Sequence, residues 1–86
     1  MYQIGTNRLF YSSESCFGKT VEIDVLSPDL VRSEKQTMLP VDDVFYADVY
    51  FNVKGSYLIR VFENGELKHR DVLIVSSGNL ILYPEG

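Results

Sequence analysis

"FNVKGSYLIRVFENGEL", residues 51–67, decides the fold. After Gly55, the residues Tyr57, Ile59 and Val61 fall on one side of an alternating run, and Leu58, Arg60 and Phe62 fall on the other. A period of two is that of a strand with one face buried, since successive side chains of an extended chain point to opposite faces. Asn64-Gly65 then turns the chain back, because both residues tolerate positive φ, and the segment reads as a β-hairpin.

Two registers are open to that hairpin. A two-residue loop pairs Val61 with Lys68 and Ile59 with Arg70, which sets both cations on the apolar face. A three-residue loop, with Gly65 as a left-handed bulge, pairs Val61 with Leu67, Arg60 with Lys68 and Phe62 with Glu66. A slip of one residue exchanges the faces, so burial decides, and the three-residue loop is the expectation. It leaves His69 and Asp71 on the inner side ahead of Leu73 and Val75. Either the tip extends beyond the body or a second bulge re-aims the strand.

The same alternation continues outward from the hairpin. "KTVEIDVL" (19–26) sets Val21, Ile23 and Val25 on one face with Glu22 and Asp24 on the other, and "SPD" (27–29) ends it. "VFYADVYF" (44–51) carries Phe45, Ala47, Val49 and Phe51 on one face and Val44, Tyr46, Asp48 and Tyr50 on the other. "RLFYS" (8–12) reads as an opening strand, and "LKHRDVLIV" (67–75) and "LILY" (80–83) as closing ones. Residues 30–43 are least regular: a short edge strand near Gln36–Leu39, with Pro40 marking the edge, competes with a helical turn at 30–36. About six or seven short strands with closely spaced turns describe an antiparallel all-β sandwich or small barrel.

Length and composition frame the function. Eighty-six residues make one domain with one modest core. Twelve acids against eight bases give a net charge of −4, which disfavours a nucleic-acid partner. A single cysteine, Cys16, leaves no intrachain disulfide and favours a reducing compartment. "MYQIGTNRLFYSS" has neither the apolar core nor the charged lead of a signal peptide, so none is expected. No apolar run approaches the ~20 residues that span a bilayer, so no membrane partner is expected either.

Chemistry-bearing residues are sparse. His69 and Asp71 share a strand face, as a general base and its orienter would, but no nucleophile elbow accompanies them. Cys16 reads as a buried or interfacial thiol. Asp42 and Asp43, near Asp48 and Glu34, lack the spacing of a calcium loop and read as solvated. Arg60, Lys68 and Arg70 beside Leu58 and Phe62 form a small basic patch. No catalytic residue, metal or cofactor is expected.

The outer aromatic face is the stronger clue. Tyr46 and Tyr50 flank Asp48, while Leu58 and Phe62 flank Arg60. Were these strands in one sheet, part of that surface would stay apolar, and a large exposed apolar patch marks a partner. The other sheet or the terminal segments are the competing cover. Leu80, Ile81, Leu82 and Tyr83 are too apolar for an idle tail; they either complete the domain's own sheet or add a strand to a neighbouring subunit.

Gly55-Ser56-Tyr57 at the entry to a strand resembles the Gly-x-Tyr entry to the penultimate strand of many immunoglobulin-like and fibronectin-like domains. That resemblance implies a corner in which the Tyr57 hydroxyl bonds back to backbone. "GKTVEIDVLSPD", "VFYADVYFNVKGSYLIRVFENGELK" and the aliphatic last strand together resemble small immunoglobulin-like structural proteins of tailed-bacteriophage virions. The resemblance covers roughly residues 18–75 and brings no catalytic residues. The chain lacks the Trp–disulfide core of antibody-type domains and adds "LILY".

The expectation is therefore an immunoglobulin/fibronectin-like β-sandwich over residues 1–86, with 1–7 and 79–86 as inter-subunit segments. It would serve as a non-enzymatic virion subunit, assembled in the host cytoplasm as a capsid decoration or a head–tail neck or tail component. Its partners would be other virion proteins and copies of itself. Tyr46, Tyr50, Leu58, Arg60, Phe62 and residues 80–83 would form its contacts, with Gly55, Tyr57, Asn64 and Gly65 shaping the hairpin. The alternative is a carbohydrate- or receptor-binding module that uses Tyr46 and Tyr50 as a stacking platform.

Overall fold

A computed structural model describes residues 2–76. The positions named above at Leu80, Ile81, Leu82 and Tyr83 lie outside the described residues. The described residues are all-β, with eight strands in two sheets: β1 (Tyr2–Gln3), β2 (Gly5–Tyr11), β3 (Val21–Leu26), β4 (Gln36–Thr37), β5 (Leu39–Val41), β6 (Val44–Phe51), β7 (Gly55–Glu63) and β8 (Glu66–Ser76). The five-stranded sheet has the order β1-β8-β7-β3-β4, and the three-stranded sheet the order β2-β6-β5. Pairing is antiparallel except where β1 runs parallel to the end of β8, so the larger sheet is mixed.

Alternation does what period-two patterning requires. Val21, Ile23 and Val25 of β3 and Tyr57, Ile59 and Val61 of β7 turn inward, and meet Leu9 of β2 and Phe45, Ala47, Val49 and Phe51 of β6 in one cluster. Each Val, Leu, Ile or Phe side chain so taken from water contributes about 1.5–3 kcal/mol. The rings of Phe51 and Tyr57 pack across the sheets with centroids 4.5 Å apart.

The Tyr57 hydroxyl, at the bottom of the core, donates to the Val53 carbonyl at 2.7 Å and accepts the Val53 N–H at 3.1 Å. The turn over residues 52–54 is thus fastened to the strand it feeds. Gly55 follows at φ 135°, and a Cβ there would lie 2.8 Å from Pro28 Cγ, so both backbone angle and space demand glycine.

The hairpin takes neither expected register. Asn64 (φ 50°) and Gly65 (φ 83°) form a two-residue loop, closing on the pairs Glu63–Glu66 and Phe62–Leu67. A bulge then inserts Lys68, so that Val61 pairs with His69, Arg60 with Arg70 and Ile59 with Asp71. The turn chemistry sets the loop, and the bulge shifts the register so that Lys68 and Arg70 stay off the inner face. Asn64 also bonds Thr20 twice, through its N–H at 2.8 Å and its side-chain oxygen at 2.9 Å, which holds the tip against the entry to β3.

Residues 30–36 form no helical turn. Leu30 takes φ 63°, and Arg32 bridges back to Leu26. The expected edge strand near Gln36–Leu39 divides between the sheets: Gln36 and Thr37 pair with β3, Leu39–Val41 pair with β6, and buried Met38 makes the crossing with its N–H on the Val21 carbonyl. Tyr2 and Gln3 pair with Val75 and Ser76 of the same chain.

Candidate functional site

The surface expected around Tyr46, Tyr50, Leu58, Arg60 and Phe62 divides. Tyr46 and Tyr50 lie on β6 in the three-stranded sheet, and Leu58, Arg60 and Phe62 lie on β7 in the five-stranded one. The two groups therefore occupy different outer faces.

On the larger sheet two of the three expected contact residues, Arg60 and Phe62, are engaged within the chain. Phe62 is 7% exposed, with the Lys35 ammonium 3.9 Å and the Arg60 guanidinium 5.1 Å from its ring centre. It is thus a covered residue and not an exposed anchor. Arg60 donates to both oxygens of Asp24, from Nε at 2.9 Å and Nη2 at 2.6 Å, while Arg32 reaches Asp24 Oδ1 at 3.4 Å. Asp24, expected on a polar face, is only 2% exposed. Burial raises its pKa, but the bonds and charge of Arg60, with Arg32 beyond, hold it below the ordinary carboxylate value. Leu58 is half-buried, in a row with Leu26 and the exposed Val72.

On the smaller sheet the outer face is open, and it is apolar where β5 joins it. The register sets Phe10, Tyr46 and Leu39 side by side across all three strands, with Val44 and Val41 in the next row. Phe10 is 64%, Leu39 53% and Tyr50 67% exposed. Between Tyr46 and Tyr50, Arg8 and Asp48 form a two-bond pair at 2.8 and 3.1 Å, which raises the pKa of Arg8 and lowers that of Asp48. The Arg8 guanidinium also lies 4.4 Å over the Tyr46 ring, so one face of that ring is taken. Tyr50 keeps its exposure. Phe10 and Leu39 were missed because their own segments show only that they alternate; it takes the strand order to place them beside Tyr46.

A buried carboxylate cluster also escaped the sequence reading. Glu63 is 2% exposed and accepts hydroxyl bonds from Tyr11 at 2.6 Å, Ser13 at 2.7 Å and Ser15 at 2.7 Å, with Lys19 Nζ at 3.6 Å. The Tyr11 and Ser13 bonds, then Ser15 and the Lys19 charge, outweigh burial and lower its pKa to about 2. The cluster ties the connection between β2 and β3 to the hairpin. Nothing local signals it, since Ser13 and Glu63 stand 50 residues apart.

The remaining chemistry-bearing residues sit as follows. Cys16 is fully buried, its thiol 3.2 Å from the Ser13 carbonyl oxygen. His69 and Asp71 are exposed on β8; the His69 ring lies 6.0 Å from that of Tyr11, and Asp71 accepts the Val72 N–H. Asp42 and Asp43 are exposed at the turn between β5 and β6. Among the described residues, no three His, Cys, Asp or Glu side chains gather as a metal site.

No protein-family model matches the chain, and neither a curated protein nor a solved structure does.

Proposed function

We propose that the chain is an immunoglobulin-like β-sandwich that acts by packing against other proteins, as a structural subunit of the tailed-phage virion type. The observation that carries this reading is the apolar outer face of the three-stranded sheet, where Phe10, Leu39 and Tyr46 lie side by side and Phe10 and Leu39 are more than half exposed. Exposed apolar patches of this kind mark contact surfaces, and repetition in a symmetric assembly multiplies weak contacts. The strand order supports the fold assignment. β1-β8-β7-β3-β4 opposite β2-β6-β5 corresponds to strands A′GFCC′ opposite BED of such domains, with Tyr57 near the start of the F-equivalent strand.

Sedimentation of the whole chain beside Phe10→Asp/Leu39→Asp tests the packing role. The wild type self-associates or binds purified virion proteins, and the variant loses that association while its melting temperature is unchanged. A wild-type chain that stays monomeric and binds no virion protein overturns the reading. Gene position tests the biology: a place among capsid and tail genes supports it, and a surface-protein operon overturns it.

Exposed Tyr50, near Asn52 and Gln36, favours a second reading as a carbohydrate-binding module, with Tyr50 as the stacking residue in place of a Tyr46–Tyr50 platform. Saturable glycan binding by the monomer, lost in Tyr50→Ala and kept in Tyr46→Ala, would establish it over the packing role.

A further inference from the structure

Among the described residues, the crossing at Met38 leaves one side of β6, opposite β2, without a strand neighbour beyond Tyr46. β5 pairs with β6 only from Val44 to Tyr46, because the chain preceding Leu39 belongs to the other sheet. Backbone groups of a strand point to its two sides in alternation, so Asp48 and Tyr50 turn theirs to the side that β5 has left. There the Gln36 side chain stands in for a strand, donating its Nε2 to the Asp48 carbonyl at 3.2 Å. Beyond it, the Tyr50 backbone faces a cleft of about 470 Å³ between the sheets.

The walls of that cleft define what fits. Its floor is apolar, made by Ile23, Val25, Val49 and Tyr57. Asp29 and Glu34 stand on its rim, both exposed, and neither has an ion-pair partner among the described residues. Asp48, also at the rim, is held by Arg8.

We infer that this cleft is a docking slot for an extended strand of a partner protein, with alternating apolar and basic side chains, that adds to the free edge of β6. The open backbone edge calls for a strand, since only main chain pairs with successive N–H and C=O groups. Alternation directs every second side chain onto the apolar floor, and the uncompensated Asp29 and Glu34 favour basic side chains at the mouth. Four residues of strand rise ~13 Å, which suits the reach from Asp48 to Asn52. The slot is separate from the apolar face that carries the proposed packing role, and the inference does not rest on that role.

The test titrates the isotope-labelled full chain with acetyl-Lys-Val-Lys-Val-Lys-Val-amide and follows backbone amide shifts. Saturable shifts centred on residues 48–52 are expected, with affinity reduced at least tenfold for the Glu-Val counterpart and for the Asp29→Lys/Glu34→Lys variant. Both substituted positions are exposed, and an unchanged melting temperature shows that the variant is folded. A version of the peptide N-methylated on alternate residues should not bind. Shifts elsewhere, equal binding of the Glu-Val peptide, or no binding at millimolar concentration would overturn the inference. So would contacts showing that Leu80–Tyr83, or a second copy of the chain, already fills the slot.

Discussion

Arg60 and Asp24 face each other across β7 and β3, joined by two bonds of 2.9 and 2.6 Å on the outer side of the larger sheet. Two parallel bonds in a fork are the strong form of this pairing. The carboxylate is 2% exposed, so its charge depends on the guanidiniums above it. Asp24→Asn should cost about 1.5–3 kcal/mol in urea unfolding, the range for hydrogen bonds to charged groups. A double-mutant cycle with Arg60→Ala should show coupling between the two positions; independent, additive losses would argue against the pair.

Glu63 predicts the response to acid. Its folded pKa of about 2 lies below its ordinary 4.5, so the ionised carboxylate stabilises the fold fully above the higher value. That contribution is lost as pH falls from 4.5 toward 2, where the native state must take up the proton. Melting temperature measured against pH should therefore fall in that window. Glu63→Gln should be less stable at pH 7 and show a flatter acid limb. An unchanged limb in the variant would mean that other carboxylates govern acid unfolding.

Tyr57→Phe removes one hydroxyl and leaves the Val53 carbonyl and N–H without their bonds at the base of the core. The expected loss is about 1–2 kcal/mol, with the ring packing on Phe51 retained. Hydrogen exchange at residues 52–54 should quicken more than exchange in β3, since the lost bonds fasten that turn alone.

Gly55 and Gly65 should differ when each becomes alanine. At Gly65 (φ 83°) the new Cβ meets open space, so only the left-handed backbone penalty of about 1–2 kcal/mol applies. At Gly55 (φ 135°) the Cβ also comes within 2.8 Å of Pro28 Cγ, so the loss should exceed that of Gly65→Ala. Equal losses in thermal unfolding would show that Pro28 yields without cost.

What the sequence by itself determined is the three long alternating strands and the faces they present. The alternations 21–26, 44–51 and 55–63 each place a buried row where the structure has one, because a strand's side-chain period is a local property. The turn at Asn64-Gly65 was legible but its length was not: clean burial pointed to a three-residue loop, whereas the structure has a two-residue loop followed by a bulge at Lys68. Only the tertiary structure decided which strands are neighbours. It separated Tyr46 from Phe62 onto different sheets, brought Phe10 and Leu39 beside Tyr46, buried Asp24 beneath Arg60, and gathered Ser13 and Ser15 around Glu63. Such contacts join positions up to 50 residues apart. Sheet order and the crossing at Met38 create them, and neither is written in the spacing of any one segment.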